Sequence, residues 1–595
     1  MVDMTDLSAV HGSEASAARL RKRRAAEFRL KAYGIGAIAL AGLALFALLG
    51  SVVGKATLAM TETSISIPVA LPAEEIADNP ARANYDGLVK DALKERFPSL
   101  SGRRDRRELY GVVSGGAQFE LREAVLADPS LVGTAETRSL LASDDADLYV
   151  KGEFGDLLTL KSEGVLTPTG TEGAVELHST ANDFSRQLGA VKALLLDQAK
   201  VLREQAARQE NGRAVRAAEA AAATDDAARE ALLAEAQGYA TQRDALIAQA
   251  DALETRSARP GGEEPLDSST PSVLIEINGG WVKAERIANN HIVGTAIIPL
   301  TSADPAPAAD WTLHVMELPE SGRKVSDKQI VVIEELRGDG QLSTGFNWRF
   351  FTAGDSREAE LAGVWGAAVG SFWTMIVTFS LAFPIGVMSA IYLEEFAPRT
   401  RLTDFIEVNI NNLAAVPSIV FGLLGLAIFV AGIEVFGVEI GGFVPRSAPL
   451  AGGIVLALMT LPTIIIAARA AIRAVPPSIR DAALGVGASK LQTSFHHVLP
   501  LSMPGILTGT IIGMAQALGE TAPLIMIGMV AFIVDIPGGV TDSATALPVT
   551  VYLWSDIPER AFEARTAAAI CVLLFFLVAM NALAVFLRKR FERRW

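Results

Sequence analysis

The chain contains 595 residues, of which 50% are hydrophobic and 20% are charged, and its formal net charge is −14. This negative charge argues against nucleic acid as a partner. The single cysteine, Cys571, excludes an intrachain disulfide and a cysteine-based metal site. Long apolar runs are concentrated in the C-terminal part of the chain, and they indicate an integral membrane protein of the α-helical class.

Six apolar runs are long enough to cross the roughly 30 Å hydrocarbon core of a bilayer as α-helices. They lie at about 33–54, 363–393, 407–432, 449–472, 504–534 and 565–587. Basic residues flank both ends of the set, in 1–32 and in 588–595, so the positive-inside rule predicts that both termini are cytoplasmic. The first run is longer than the apolar core of a signal peptide, and we expect an uncleaved anchor.

The segment 55–358 separates the first two predicted helices, and this topology predicts that it lies outside the cytoplasm. Within it, 183–256 consists almost entirely of helix-forming residues, which predicts an antiparallel helical hairpin. Asn211-Gly212 is a candidate stop signal in this hairpin, and Asp225 is a candidate N-cap of its second helix.

Beyond the linker "SARPGGEEPLDSSTPS", the pattern changes to the alternation that is typical of β-strands. In "SVLIEINGGWVKAERI", Asn278-Gly279 predicts the turn of a β-hairpin. The stretches "DWTLHVMEL" and "KQIVVIEEL" predict two further strands. The segment 55–358 is therefore predicted to be a small α+β domain that carries a helical hairpin.

Several features that look like functional motifs have simpler explanations. "GSVVGKAT" differs from a phosphate-binding loop, because three residues and not four separate Gly50 from Gly54, and Ala56 occupies the Ser/Thr position. We therefore expect any ATP hydrolysis to be carried out by another subunit. Arg469 and Arg473 end the fourth predicted span, where snorkelling to the cytoplasmic interface explains them. The histidines show no metal-ligand spacing, and we expect no metal, cofactor or catalytic residue; they are His11, His178, His291, His314, His496 and His497.

Glu520 is different, because it lies near the middle of the fifth predicted span. A carboxylate at that depth costs at least about 2.5 kcal/mol and by default faces a bundle interior, a water-filled path or a basic partner. The alternative is a structural hydrogen bond to a neighbouring helix, through Thr521. Pro523 would loosen the backbone there, which is tolerated where helices line a cavity. Glu520 and Thr521 are therefore candidates for a translocation path.

A polar segment, 475–500, connects the fourth and fifth predicted spans and is longer than a simple turn requires. Two residue pairs in it have capping-box spacing and predict two short helices: Ser478 with Asp481, and Ser489 with Gln492. Gly487 would separate these helices, and Leu499-Pro500 would end the second one. The small residues of the first helix would let another surface approach closely, so we predict that the segment docks against a partner.

Part of this segment, "DAALGVGASKLQTSFHHVLP", resembles the cytoplasmic loop of ABC-importer permeases, Glu-Ala-Ala-x3-Gly-x9-Ile-x-Leu-Pro. The matching positions are Asp481, Ala482, Ala483, Gly487, Leu499 and Pro500. Asp481 replaces the glutamate of the pattern, and His497 replaces the isoleucine. The resemblance implies that the segment is a coupling helix that docks into an ATPase subunit.

Three further stretches, "SAIYLEEFAP", "AAVPSIVFGLLGLAIFV" and "LGETAPLIMIG", resemble the PstA family of phosphate-transport permeases. The resemblance covers 359–595 and implies a type I ABC-importer permease domain with six transmembrane helices, in a bacterial inner membrane. It implies a permease subunit of an ATP-driven importer of inorganic phosphate. Gln516, a further candidate for the translocation path, stands where many relatives have arginine.

The implied partners are a second permease (PstC-like), a dimer of ATP-binding subunits (PstB-like), a periplasmic phosphate-binding protein (PstS-like) and membrane lipid. Glu520 would then orient an arginine of the second permease. Alternatives are a permease for sulfate or molybdate, a membrane-anchored sensor or scaffold, and an enzyme within 55–358. The resemblance assigns no role to 55–358, and we expect it to contact the binding protein or another periplasmic partner.

Overall fold

The computed structural model describes residues 14–435, 438–440, 442, 444–530 and 532–591. The chain divides into two compact units. We call Glu62–Gly345 the insertion unit, and Met1–Thr61 together with Phe346–Trp595 the membrane unit. The predicted insertion, 55–358, has nearly the same limits as the insertion unit.

The chain begins with one long helix, α1 (Glu14–Ala56), which contains the first predicted span. A 3₁₀ turn, Thr57–Met60, follows it. The apolar side chains along this helix are largely exposed, as in Ile38 and Phe46. An exposed apolar surface of this length is typical of a helix that faces lipid or another membrane helix.

The insertion unit is built from helices and antiparallel sheets. Its helices are α2 (Ala73–Ile76), α3 (Tyr85–Arg96), α4 (Arg103–Tyr110), α5 (Ala117–Ala127), α6 (Asp144–Val150), α7 (Ser185–Ala222), α8 (Asp226–Ala258) and α9 (Asp327–Gly338). Its strands are β1 (Thr61–Ala70), β2 (Ala135–Leu141), β3 (Leu157–Leu160), β4 (Leu166–Pro168), β5 (Ala174–Ser179), β6 (Glu264–Pro265), β7 (Ser272–Ile277), β8 (Gly280–Ile287), β9 (His291–Ile298), β10 (Trp311–Met316) and β11 (Leu342–Phe346).

Two sheets organise this unit. The smaller has the strand order β11-β1-β2, and the larger has the order β3-β10-β7-β8-β9-β5-β4, with β6 paired to β8. The buried face of the larger sheet carries side chains such as Val175, Ile275 and Ile292, and Phe184 and Leu188 at the start of α7 pack against them. Alternation of buried and exposed positions along β5 places one face on this core and leaves the other in solvent.

The region predicted as a helical hairpin forms α7 and α8, which run antiparallel and are joined by residues 223–225. Asp225 caps α8 as predicted, since its Oδ2 accepts a hydrogen bond of 3.0 Å from the Ala228 backbone. The predicted stop at Asn211-Gly212 is wrong, because α7 continues through it to Ala222. A single glycine in a helix interior costs only about 1 kcal/mol, and packing along the whole hairpin outweighs that cost.

The β-hairpin turn at Asn278-Gly279 is confirmed, with φ of 45° and 64° at the two residues. The strand predicted in "DWTLHVMEL" is confirmed as β10. The strand predicted in "KQIVVIEEL" is wrong, because these residues form α9, which Ser326 and Gln329 cap in a reciprocal capping box. This helix is buried over most of its surface, so its sequence lacks the polar stripe that reveals a helical period.

A buried ion cluster fixes the start of α9. Asp327 pairs with Arg323, and Lys283 Nζ lies 2.6 Å from Asp327 Oδ2. Arg323 also donates a 2.7 Å hydrogen bond to Ser272 Oγ. Burial alone would raise the pKa of Asp327, but the charges of Arg323 and Lys283 outweigh it and hold that pKa below its ordinary value.

The membrane unit is almost entirely helical. Its further elements are α10 (Trp348–Thr352), α11 (Trp365–Ile391), α12 (Arg401–Ala414), α13 (Ser418–Gly425), β12 (Ile433–Val435), β13 (Val438–Ile440), α14 (Pro449–Arg473), α15 (Pro477–Gly485), α16 (Lys490–Thr493), α17 (Leu499–Gly519), α18 (Ala522–Met526), α19 (Leu547–Ser555) and α20 (Arg560–Phe591). Single π-helical turns extend α11 over Tyr392–Phe396 and α13 over Leu426–Ala431, and a third, Ser494–Val498, joins α16 to α17.

Within the described residues, five helical stretches are long and apolar enough to cross a membrane. They are Arg21–Met60, Trp365–Phe396, Pro449–Arg473, Lys490–Gly519 and Arg560–Arg590. The pair α12 and α13 would make a sixth if it formed one span, but it is bent by 100°. The third predicted span, 407–432, is therefore not a straight helix, because Pro417 disfavours the helical conformation in the residue before it and is the N-cap of α13.

The fifth predicted span, 504–534, is also wrong as a continuous helix. Helix α17 ends at Gly519, and the short helix α18 begins only at Ala522. Pro523 explains this break, because a proline in a helix clashes with the carbonyl four residues earlier, which here belongs to Gly519. Close packing of glycine holds the bundle together; a Cβ on Gly453 of α14 would lie 2.4 Å from the Cβ of Val377 in α11.

Candidate functional site

The polar segment 475–500 forms two short helices, as predicted, but the first is capped differently. Pro476 is the N-cap of α15 and Pro477 its first residue, so Ser478 lies inside the first turn. The predicted capping box of Ser478 with Asp481 is therefore wrong, since proline at the first position already suits a helix start. The second capping box is confirmed: Ser489 Oγ accepts from the Gln492 backbone at 3.2 Å, and Gln492 Oε1 accepts from the Ser489 backbone at 2.9 Å.

Gly487 separates the two helices, as predicted, and its φ of +92° lies in the left-handed region. The backbone of Gly487 donates to the carbonyl of Leu484 at 3.0 Å, and that of Ala488 donates to the carbonyl of Ala483 at 3.1 Å. These two hydrogen bonds form the Schellman motif that ends many helices with glycine at this position. The glycine therefore ends α15 and sets the direction of the chain into α16.

The predicted end at Leu499-Pro500 is wrong. The π-helical turn Ser494–Val498 passes directly into α17, so that Lys490–Gly519 is one helical stretch. Pro500 has no N–H to donate within this continuous stretch, and it lies directly after the π-helical turn, where the helix changes its hydrogen-bond spacing instead of ending. The segment is thus continuous with the helix that enters the membrane unit's core.

The motif residues of this segment have unequal exposure. Asp481, Ala482 and Gly487 are exposed, Ala483 is buried, and Leu499 and Pro500 are half-buried. The outer surface also exposes large apolar side chains, with Val486 86% exposed; the others are Leu484, Leu491 and Phe495. Exposed apolar patches are typical of sites that bind another protein or a membrane. We call these four side chains the docking surface.

Arg480, next to Asp481, fastens this segment to two membrane helices. Its guanidinium donates to Glu395 Oε1 at 2.8 and 3.0 Å, to the carbonyl of Val475 at 2.6 Å and to the carbonyl of Ile472 at 2.8 Å. Glu395 lies in the π-helical turn that extends α11, and Ile472 lies in the last turn of α14. Both charged side chains are largely buried, so these bonds tie α15 to the ends of α11 and α14.

Glu394, the neighbour of Glu395, forms a second set of ion pairs. Its two oxygens accept from Arg469 Nε at 2.6 Å and from Arg473 Nε at 2.7 Å, and Arg469 Nη2 lies 2.9 Å from Glu407 Oε1 of α12. Arg469 is buried and paired, so snorkelling is the wrong explanation for it; the side chain of Arg473 is 60% exposed. We call Glu394, Glu395, Glu407, Arg469, Arg473 and Arg480 the ion-pair network.

Sequence reasoning missed this network, although both halves of it were visible. The pair of glutamates in "YLEEF" ends one apolar run, and arginines end another. Each half taken alone has an ordinary interfacial explanation. Only the packing of α11, α12 and α14 at one end of the unit shows that the charges meet.

Glu520 does not lie within a helix. It is the C-cap residue of α17, and Thr521 is the N-cap residue of α18. Both side chains are half-buried, and Gln516 is exposed. Within the described part of the chain, the Glu520 carboxylate makes no hydrogen bond or ion pair, so the structural hydrogen bond through Thr521 is not formed. Glu520 and Thr521 lie at a helix break and Gln516 lies about one turn before it in α17, but the structure does not join the three side chains.

The break beside Glu520 packs against the other broken helix. A Cβ on Gly422 of α13 would lie 2.7 Å from the Cα of Pro523 and 2.8 Å from the Cβ of Met526, both in α18. Two of the quoted stretches, "PSIVFGLLGL" and "GETAPLIMIG", therefore meet in space. Discontinuous helices of this kind are tolerated at membrane depth where they are buried in protein or line a water-filled cavity.

The insertion unit holds one side-chain cluster that sequence spacing did not predict. Glu176, His178 and His291 place one potential ligand atom each within 4.8 Å of one another. The spacing of the histidines along the sequence could not show this arrangement, since the three residues come from two strands far apart in sequence. His496 and His497 are exposed in the segment 475–500.

Two sequence families match the chain. Residues 382–595 match the family described as "Binding-protein-dependent transport system inner membrane component", and residues 17–158 match a domain of unknown function, DUF3333. The first covers α12 to α20 and the segment 475–500. The second covers α1 and the first part of the insertion unit.

Similar proteins include transport permeases. The probable ABC transporter permease protein YqgI of Bacillus subtilis (strain 168) is 32% identical over 32% of this chain and 60% of its own length. The phosphate transport system permease protein PstA 1 of Mycobacterium tuberculosis (strain ATCC 25618 / H37Rv) is 31% identical over 42% of this chain and 76% of its own length. A solved structure of the inward-facing MetNI methionine ABC transporter overlaps 39% of this chain and 95% of its own, at 18% identity and a TM-score of 0.29, which is too low to support a conclusion.

Proposed function

We propose that this chain, which belongs to the PstA family of binding-protein-dependent transport permeases, is the permease subunit of an ATP-driven importer of inorganic phosphate. The observation that carries the proposal is the segment 475–500. It carries the loop motif of the ABC-importer permeases, exposes an apolar docking surface and is fastened to the ends of two membrane-capable helices.

ATP-binding subunits dock on this segment and hydrolyse the ATP, since this chain carries no phosphate-binding loop of its own. Leu484, Val486, Leu491 and Phe495 fill a groove on those subunits. When the subunits move, α15 moves with them. The bonds of Arg480 to Glu395 and to the Ile472 carbonyl pass this motion to α11 and α14. The ion-pair network thereby couples the movement of the segment 475–500 to the movement of the helix ends.

The transport pathway lies beside the broken helices, between this chain and a second, related permease. A carboxylate at Glu520 would repel a phosphate anion, so this side chain acts on phosphate indirectly. It orients a cationic side chain of the second permease, which in turn neutralises phosphate. Its unpaired carboxylate within the described residues supports this role, because a half-buried carboxylate is costly unless a partner arrives from another chain.

The orientation follows the charge distribution. Basic residues are clustered in the N-terminal part of α1 and in the last turn of α20, so both termini and the segment 475–500 lie in the cytoplasm of a bacterial cell and the insertion unit lies outside the inner membrane. Helix α4 presents Arg103, Arg106 and Arg107 on one exposed face, and none of these three side chains pairs with a carboxylate in the described chain. This face contacts an acidic surface of the periplasmic phosphate-binding protein.

Uptake of radiolabelled phosphate by cells that lack the chain, with and without a plasmid copy, tests the proposal. We expect the plasmid copy to restore uptake, and excess unlabelled phosphate to abolish it. Excess sulfate or molybdate should leave uptake unchanged. Competition by sulfate or molybdate would identify a different oxyanion as the substrate, and unchanged uptake with and without the chain would contradict a transport role.

A further inference from the structure

Two neighbouring strands of the insertion unit bring together residues that are 113 positions apart. Strands β5 and β9 are antiparallel, and His178 lies directly opposite His291 in their register. Glu176 precedes His178 by two residues, so both side chains project from the same, solvent-facing side of β5. Directly opposed residues on one face of an antiparallel pair have Cβ atoms about 5 Å apart, which is close enough to share a bound ion.

The side chains already converge. The imidazole rings of His178 and His291 stack with their centroids 4.5 Å apart. Glu176 Oε2 lies 3.6 Å from His178 Nε2 and 4.0 Å from His291 Nε2. His291 Nε2 is inaccessible to solvent and makes no hydrogen bond with any described residue. A buried ring nitrogen that faces a carboxylate without bonding to it needs another partner.

The backbone that carries these residues is held in place. Strand β5 lies between β4 and β9, and β9 lies between β5 and β8, so neither strand is at the sheet's edge. Their opposite face carries Val175, Leu177 and Ile292, all fully buried in the core. Metal ligands on rigid interior strands lose little conformational freedom on binding an ion.

We propose that Glu176, His178 and His291 bind one divalent transition-metal ion of the Zn²⁺ type, and that solvent occupies the remaining coordination position. Zinc–nitrogen and zinc–oxygen bonds of about 2.0–2.2 Å place tetrahedral ligand atoms about 3.4 Å apart. Binding would require the stacked rings to rotate so that both Nε2 atoms face the ion, and would bring the separations of 3.6 and 4.0 Å between these atoms and Glu176 Oε2 to that value. The carboxylate supplies the negative charge that favours a cation, and metal binding gives the orphan His291 nitrogen a partner.

The ligand chemistry selects the class of ion. Two imidazoles and one carboxylate suit zinc, nickel and copper, whereas magnesium and calcium prefer oxygen ligands throughout. The nearest comparable pair, His314 Nε2 and Glu276 Oε2 at 3.3 Å, has only one histidine and is not grouped with a third ligand in the described chain. The proposed site is independent of the phosphate-transport role, because it rests on the insertion unit alone.

Isothermal titration of the purified full chain in detergent with ZnCl₂, with no polyhistidine tag, tests the site. We expect one equivalent of zinc to bind the wild type, and His178→Ala or His291→Ala to weaken binding more than about 100-fold, since loss of an outer-shell partner alone costs 10–100-fold. Glu176→His should bind zinc more tightly than the wild type. His496→Ala, which removes an exposed histidine elsewhere, is the matched control and should bind zinc as the wild type does.

The visible absorption spectrum of bound Co²⁺ gives a second readout of the site. Substitution of Co²⁺ into the wild type should produce the visible absorption of a low-symmetry site, and the double variant His178→Ala/His291→Ala should lack it. Circular dichroism in EDTA should be the same for all variants, because the three side chains lie on the solvent face. Equal zinc affinity in the wild type and the double variant would overturn the proposal, as would failure of Glu176→His to increase the affinity.

Discussion

Arg480 is the structural link on which the coupling mechanism depends, and its replacement gives the sharpest test of that mechanism. Arg480→Ala removes four hydrogen bonds, two to Glu395 and two to the carbonyls of Val475 and Ile472. Breaking a fully buried ion pair costs about 3–5 kcal/mol, and an exposed pair contributes about 0–1 kcal/mol. The Arg480 and Glu395 side chains are 22% and 11% exposed, so we expect an intermediate loss of about 2–3 kcal/mol.

A loss of that size shifts the population of the fastened arrangement by about 30- to 150-fold. The ATP-binding subunits would still dock on the unchanged apolar surface, but their movement would no longer reach α11 and α14. We therefore expect phosphate uptake to fall at least tenfold while ATP hydrolysis continues without stimulation by phosphate. Uptake of radiolabelled phosphate and ATP hydrolysis, measured on the same proteoliposomes, report the two quantities.

Two control variants sharpen this test. Arg480→Lys keeps the charge but replaces the three guanidinium nitrogens that reach Glu395 and the two carbonyls by a single ammonium nitrogen, so it should give intermediate uptake. Lys490→Ala removes an exposed cation of the same segment that makes no ion pair in the described chain, and it should leave uptake unchanged. Wild-type uptake and wild-type coupling in Arg480→Ala would refute the role of the link.

Four other changes have defined outcomes. Gly487→Ala forces a φ of +92° on a residue with a Cβ, so it should lower the free energy of unfolding by about 1–2 kcal/mol and reduce phosphate uptake. Gly485→Ala is the control, because Gly485 has an ordinary φ and open space around it, and it should leave uptake unchanged. Equal uptake in the two variants would contradict the reasoning. Glu520→Gln should lower phosphate uptake about tenfold or more, and wild-type rates would exclude a role in the path. Gly422→Leu, which overlaps Pro523, should lower the melting temperature of the purified chain, whereas Gly519→Ala meets no atom within 4 Å and should not. The pKa of Asp327 is lower in the folded chain than its ordinary value of 3.8, so the carboxylate stabilises the fold above pH 3.8 and this contribution is lost as the pH falls through the folded pKa. Asp327→Asn should therefore have a lower melting temperature at neutral pH. Its melting temperature should also lack this loss at acid pH.

Local signals in the sequence were sufficient for the elements that depend on a few neighbouring residues. The Ser489 capping box, the helix break at Gly487, the Asp225 N-cap and the Asn278-Gly279 turn all appear as predicted. Each is decided by hydrogen bonds or backbone conformations within a span of four or so residues. The family resemblance added the assignment of the segment 475–500, which no local signal could supply.

The predictions that failed depend on contacts across the fold. Helix α9 was mistaken for a strand because its buried surroundings require apolar residues on almost every side. The two broken spans were read as continuous because their apolar content does not change at the break, although Pro417 and Pro523 marked both positions. In each case length and hydropathy were given more weight than a residue that restricts the backbone.

The functional clusters were the least visible in the sequence. The ion-pair network joins residues about 60 to 85 positions apart, and the proposed metal ligands come from two strands that are neighbours only in the folded sheet. Charged residues in each stretch had an adequate local explanation, so nothing required a distant partner. Glu520 shows the converse. Its depth in an apolar run predicted a functional role, but only the structure shows that it lies between two helices and not within one.

Transport by the purified complex tests the central claim most directly. The chain would be purified from the membranes of its host with its associated subunits, reconstituted into proteoliposomes, and supplied with ATP and radiolabelled phosphate. We expect a second permease and ATP-binding subunits to co-purify, and ATP-dependent phosphate uptake that unlabelled phosphate abolishes and sulfate does not affect. Purification of the chain without ATP-binding subunits, or uptake that sulfate or molybdate competes as well as phosphate does, would contradict the claim.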